Sequence, residues 1–163
     1  MAFNFNADEV LQMAVRIEQN GARFYRRAAE ACSADEQTRN KFLELAEMED
    51  CHEQTFAQIR EGLGVEDSQS LVFDPQGEAA HYLAAMADAN VFDPKADPAD
   101  LVCDKSIEEL LKIAIGLEKE SIVFYLGLRD LVPARLGTDK VERILKEEMS
   151  HVALLRGQLA ALG

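Results

Sequence analysis

Apolar residues recur along this chain at intervals of three and four, the spacing that places them on one side of an α-helix. Val10, Leu11, Ala14, Ile17, Gly21, Phe24, Tyr25 and Ala28 form one such stripe and predict a first helix from about Ala7 to Ala31. Asn6, with Glu9 three residues on, is the pairing that satisfies the free N–H groups at a helix start. Ser33 with Glu36 offers the same signal for a second helix, whose stripe of Phe42, Leu45, Ala46 and Phe56 runs on to about Glu61, before Gly62 and Gly64. Ser106 with Glu109 opens a third helix, ended near Leu131 by Pro133 and Gly137, and a fourth runs from Thr138 nearly to the C-terminus. Long helices joined by two or three residues must fold back on each other as antiparallel pairs.

Residues 63–105 break the periodicity. Asp74-Pro75, Asp93-Pro94 and Asp97-Pro98 mark turns, and Glu78 to Asn90 has room for a short helix between them. The segment is too long for a hairpin connection, so it is expected to cross over along the outside of a bundle. The prediction is a single all-α domain over residues 1–163: a four-helix bundle with a long crossover between the second and third helices.

Two apolar stripes are interrupted in their middle by polar side chains. Phe42, Leu45, Ala46 and Phe56 share a face with Glu49 and His52; Val141, Ile144, Leu145, Val152 and Leu155 share one with Glu148 and His151. Glu18 and Glu118 lie on the stripes of the first and third helices. The halves repeat: IEQNGARFY (17–25) aligns with LEKESIVFY (117–125), and Glu49/His52 with Glu148/His151. The repeat units are 7–62 and 106–161. Each is a helix with one inward Glu followed by a helix with Glu-x-x-His, which implies a pseudo-two-fold bundle with a site on its axis.

A carboxylate among aliphatic neighbours must pair, stay protonated or bind a cation. Four carboxylates and two neutral imidazoles balance two divalent cations without net charge, so Glu18, Glu49, His52, Glu118, Glu148 and His151 are read as metal ligands. A Glu and a His three apart share a helical face, so each pair can serve one metal while a carboxylate bridges both. Mixed oxygen and nitrogen donors suit iron or manganese, and zinc is also compatible. Gly21 and Ser121, one turn after the single glutamates, are small enough to leave room for an oxygen species. Tyr25 and Tyr125 lie a further turn along the same faces: they either hydrogen-bond ligand carboxylates or are core aromatics with their hydroxyls satisfied near a helix end.

All three histidines have Glu three residues before them, since Glu78 and His81 also qualify. That pair has no inward Glu on a preceding helix, so His81 is read as a surface or packing residue. Glu53, Glu120 and Glu147, offset by one or two positions from the ligand faces, are expected to be solvated.

Composition narrows the partners. The net charge of −13 argues against nucleic acid and anionic membranes. No apolar run approaches the length of a membrane span, and the N-terminus MAFNFNADEV has no basic or apolar leader. Cys32, Cys51 and Cys103 lack C-x-x-C spacing, and suggest reduced thiols acting as small hydrophobes in a cytoplasm. A homodimer is the default assembly.

The stretches IEQNGARFY, LAEMEDCHE, LEKESIVFY and LKEEMSHVALL together resemble the ferritin-like superfamily, in its rubrerythrin-related branch. The resemblance spans about Ala7 to Leu159. It implies two iron ions on the six residues named, with Glu49 and Glu148 as bridges, and an oxidoreductase that reduces peroxide or dioxygen or oxidises ferrous iron. Full rubrerythrins add a rubredoxin domain with iron on four cysteines; without such a cluster, the implied electron donor is a separate protein. They also tend to carry a further Glu where this chain has Ser121, which leaves a plainer six-ligand site. The alternatives are a protein that binds or stores iron or another divalent metal without turnover, and a bundle that keeps a structural metal.

Overall fold

The computed structural model describes residues 6–32, 34–64, 98–132 and 134–163. Four long helices carry the fold: α1 (Ala7–Ala31), α2 (Glu36–Glu61), α3 (Ile107–Leu131) and α4 (Thr138–Ala161). Short 3-10 turns occupy Pro98–Leu101 and Ala134–Leu136. No strand occurs among the described residues, and none of their helices is long and apolar enough to cross a membrane.

The helix starts follow local chemistry. Asn6 and Glu9 form a reciprocal capping box on α1, as do Ser106 and Glu109 on α3. The second helix differs from the expectation. Its cap is Asp35, whose Oδ1 accepts from the Thr38 N–H at 3.1 Å and whose Oδ2 accepts from the Thr38 hydroxyl at 3.0 Å. A carboxylate here also meets the positive end of the helix dipole, and Asp35 replaces Ser33 in the role foreseen for it; Ser33 itself lies outside the described residues. Helix α4 has no side-chain cap: Gly137, at φ 125°, makes the turn, and the Thr138 hydroxyl donates back to the Val132 carbonyl at 2.7 Å. The expected turns and short helix within 65–97, the Glu78/His81 pair and Pro133 lie outside the described residues.

Helix α1 packs along α2 and α3 along α4. Cross-bundle bonds set the remaining directions. Tyr25 reaches Glu118 and Tyr125 reaches Glu18, so α1 and α3 run antiparallel. His52 meets Glu148 while His151 meets Glu49, so α2 and α4 do too. Consequently α2 and α3 point the same way, and α2 ends at the opposite end of the bundle from where α3 begins. That topology is why a long crossover is required between them.

Two apolar layers fill the bundle. One holds Leu11, Phe56, Phe124, Tyr125 and Ile144; the other holds Phe24, Tyr25, Phe42, Leu111 and Leu155. The internal repeat exchanges them, since Phe124/Tyr125 and Phe24/Tyr25 are equivalent pairs in opposite layers. Each fully buried Phe contributes roughly 1.5–3 kcal/mol. The layers flank the polar positions of all four helices, so those side chains are held in a middle layer walled by hydrocarbon above and below. Cys32 is buried as expected, but Cys51 and Cys103 are exposed, so neither serves as a packing residue. Cys51 faces outward from α2 and Cys103 from the turn before α3.

Candidate metal centre

All six predicted side chains converge. Glu18, Glu49, His52, Glu118, Glu148 and His151 are each no more than 5% exposed. Their oxygen and nitrogen atoms sort into two groups: Glu18, Glu49, His52 and Glu148, and Glu49, Glu118, Glu148 and His151. Within each group one atom from every residue lies within 4.8 Å of the others. Glu49 and Glu148 belong to both. Glu148 divides its oxygens, with Oε1 3.1 Å from His52 Nδ1 and Oε2 3.1 Å from His151 Nδ1. The imidazole rings stack loosely across the axis, 5.8 Å between centroids.

The donor set fits a cation. Glu18 Oε2, Glu49 Oε1, His52 Nδ1 and Glu148 Oε1 are buried with no hydrogen-bond partner among the described residues; His52 Nδ1 lies 3.6 Å from Glu18 Oε2 and 3.1 Å from Glu148 Oε1, while Glu49 Oε1 lies 3.6 Å from His151 Nδ1. The approach of His52 Nδ1 to Glu148 Oε1 is not aligned as a hydrogen bond, although it is close. Buried polar atoms left without partners are costly, and one divalent ion beside His52 would satisfy Glu18 Oε2, His52 Nδ1 and Glu148 Oε1 together. Carboxylate oxygen with imidazole nitrogen, two carboxylates shared, is the donor pattern of paired-metal sites in helical bundles.

The electrostatics show the same strain. Burial, with the charge of Glu148 adding to it, pushes Glu18 well above the usual carboxylate range. Burial and then Glu18 do the same to Glu49, and burial with Glu148 raises Glu118 to about 8. Burial would also raise Glu148, but contacts with Glu118, His151 and His52 outweigh it and hold this carboxyl well below its usual value. Burial opposes protonation of the imidazoles, yet the surrounding carboxylates raise His52 to about 9 and His151 to about 10. Protons thus occupy the place that cations suit.

The tyrosines take the first of their two readings. Tyr25 OH donates to Glu118 Oε1 and Tyr125 OH donates to Glu18 Oε1, each across the bundle. Burial and then the nearby carboxylates push both phenols well above their ordinary value, so they stay protonated donors. Phe42 stacks on Tyr25 and Phe56 lies against Tyr125, which fixes the rings.

Other expectations change. The space beside Gly21 is not free for an oxygen species: Glu49 fills it, and a Cβ there would lie 3.3 Å from Glu49 Oε2. Ser121 Oγ donates to the Leu117 carbonyl. Glu147 is not simply solvated; its Oε2 lies 2.8 Å from His52 Nε2. Stepping one position from Glu148 turns a side chain off its own helix's core, but it turns this one toward α2. Glu53 accepts from Gln19 Nε2 at 2.7 Å, and Glu120 is half-buried with one oxygen that has no hydrogen-bond partner among the described residues. The only sequence signal for Glu147 was its place next to a ligand position, and that signal does not say which neighbour it meets.

Comparison with known proteins agrees with this geometry. A solved structure from Thermotoga maritima, described as a ferritin-like diiron-carboxylate protein, superposes with a TM-score of 0.80 at 25% identity, covering 100% of each chain. No curated protein matches. The rubrerythrin family matches residues 9–159, nearly the whole length. This chain belongs to the rubrerythrin family.

Proposed function

We propose that the protein is a di-iron oxidoreductase that reduces peroxide or dioxygen, or oxidises ferrous iron, in the buried middle layer. The observation that carries this reading is the convergence of three buried, unpartnered donor atoms, Glu18 Oε2, His52 Nδ1 and Glu148 Oε1, from α1, α2 and α4. Glu18, Glu49, His52 and Glu148 would hold one ion, and Glu49, Glu118, Glu148 and His151 the other. A ferrous pair bound there supplies two electrons, which with two protons is the requirement for cleaving one peroxide O–O bond to two waters.

The chain's own residues do the rest. Tyr25 and Tyr125 hold Glu118 and Glu18 by O–H donation, and because their phenols resist ionisation they orient these carboxylates rather than give up protons. The apolar layers on either side exclude bulk water and keep the donors in a low-dielectric setting. Re-reduction falls to a separate electron-donor protein. A cytoplasmic setting accords with the three free thiols, and a homodimer completes the proposal.

The test is ferrous loading under nitrogen, then peroxide or oxygen, with metal analysis and absorption spectra. Two irons per chain and a near-ultraviolet band that appears on oxidation and vanishes on reduction are expected. Iron that binds but responds to neither oxidant would refute the redox reading, and no bound metal would refute the site.

A further inference from the structure

The internal repeat makes the two halves of the centre look interchangeable, but the second contacts of their histidines are not. His52 Nε2 lies 2.8 Å from Glu147 Oε2, and Glu147 Oε1 in turn lies 3.5 Å from Arg143 Nε. His151 Nε2 is buried and has no hydrogen-bond partner among the described residues. The repeat places Met48 where the other half has Glu147, and Glu44 where it has Arg143. Methionine offers only a weakly accepting thioether, and Glu44 is engaged by Lys41 at 2.7 Å.

We infer that Glu147 is a positioning residue that makes the two metal positions unequal, so that the position of Glu18, Glu49, His52 and Glu148 fills first and holds its ion more tightly. This rests on the metal-centre reading above. The physical reason is tautomeric. In the neutral ring, which is the form that binds an ion, a carboxylate at Nε2 holds the remaining proton there and leaves the Nδ1 lone pair directed toward Glu18 Oε2 and Glu148 Oε1, 3.6 and 3.1 Å away. The same contact stops the ring from rotating and makes the imidazole a stronger donor to a cation. His151 lacks that constraint: its proton can sit on Nδ1, where Glu148 Oε2 at 3.1 Å accepts it, and an incoming ion must displace it. Glu147 is 35% exposed and meets Arg143 on its solvent side while touching a buried ring on the other.

The experiment titrates Mn(II) into the whole metal-free protein and follows free Mn(II) by electron paramagnetic resonance. Wild type is expected to bind in two steps whose affinities differ by about tenfold or more, the scale on which a ligand's outer partner acts. E118Q should keep the tight step and E18Q should lose it, since each of those residues belongs to one group alone. E147L should weaken the tight step about ten- to hundredfold and bring the two together, while E147Q, which keeps an acceptor for Nε2, should retain part of the difference. M48E should strengthen the weak step by supplying His151 with the missing carboxylate. Melting curves of the metal-free variants establish that each is folded. Two affinities that E147L leaves unchanged, or lowers equally, overturn the inference while the metal centre stands. So does loss of the tight step in E118Q rather than E18Q. Wild type that binds no Mn(II) and no Fe(II) overturns both.

Discussion

Gly21 sits in the interior of α1, and its missing side chain is filled by the carboxylate of a residue assigned to both metal positions. An alanine at this position would place Cβ 3.3 Å from Glu49 Oε2 and 3.4 Å from its Cδ and Cγ. Contacts that tight oblige Glu49 to retreat by a few tenths of an ångström. Without metal the retreat is cheap, because what the Cβ meets is the far end of a side chain rather than backbone. Replacing Gly by Ala in a helix interior gains about 0.8–1 kcal/mol, so metal-free G21A should melt at the wild-type temperature or up to about 3 °C higher for a chain of this size. Metal binding should move the other way. Carboxylate oxygens sit about 2.0–2.2 Å from ions such as zinc with a tolerance of about 0.2 Å, and a shift of a few tenths uses up that tolerance at both ions. An affinity loss of about tenfold or more is expected. Gly116 and Gly157 are the controls, because a Cβ at either meets nothing within 4 Å among the described residues. G116A and G157A should gain similar stability and bind metal as wild type does. Calorimetry of metal-free proteins and anaerobic ferrous titration read both quantities. Metal binding by G21A as tight as by G116A would refute the reasoning, as would a metal-free G21A destabilised by more than about 1 kcal/mol.

Further outcomes follow from the same cluster. Glu49 is raised well above its usual value by burial and by Glu18, so at pH 8 the fold either holds a proton or bears a charge at a cost; E49Q should raise the metal-free melting temperature by about 3 °C or more while abolishing stoichiometric metal binding. A metal-free E49Q that melts lower than wild type would count against it. Y125F removes the donor to Glu18 and should cost about 1.5–3 kcal/mol in the metal-loaded protein, read from denaturant unfolding; an unchanged midpoint would assign Tyr125 to packing alone. In the metal-free protein Glu118 keeps its proton up to about 8, and His52 and His151 keep theirs to about 9 and about 10, whereas the unfolded chain releases them near 4.5 and 6.5. The folded state therefore binds more protons across that window, and its stability, full at the acid end, drains as pH rises to about 10. Metal needs the deprotonated donors, so the gap in melting temperature between loaded and metal-free protein should widen with pH. A gap that stays constant would exclude proton–metal competition at these groups.

Which residues make helices and which faces are buried can be read from the order of residues alone. Periodicity located all four helices because each stripe is long and each cap is local: the Asn6/Glu9 and Ser106/Glu109 boxes depend on residues three apart. Where two caps compete within a few residues, the pattern was insufficient, and Asp35 rather than Ser33 opens α2 because its carboxylate meets both the Thr38 N–H and hydroxyl. The six polar residues of the centre were legible for the same reason. A Glu or His on a buried stripe conflicts with the hydrophobic pattern, and the repeat makes the conflict occur twice.

What those side chains meet depends on how the four helices pack. That Tyr25 serves Glu118 and Tyr125 serves Glu18 depends on α1 and α3 running antiparallel, which no local spacing encodes. The use of Gly21 as a seat for Glu49 depends on how closely α1 and α2 approach. Glu147 points away from its own helix's apolar face and still reaches His52, because a neighbouring helix covers that side. Helical spacing fixes direction within one helix, whereas partnership across a bundle is set by register and distance between helices, and these exist only once the four have packed.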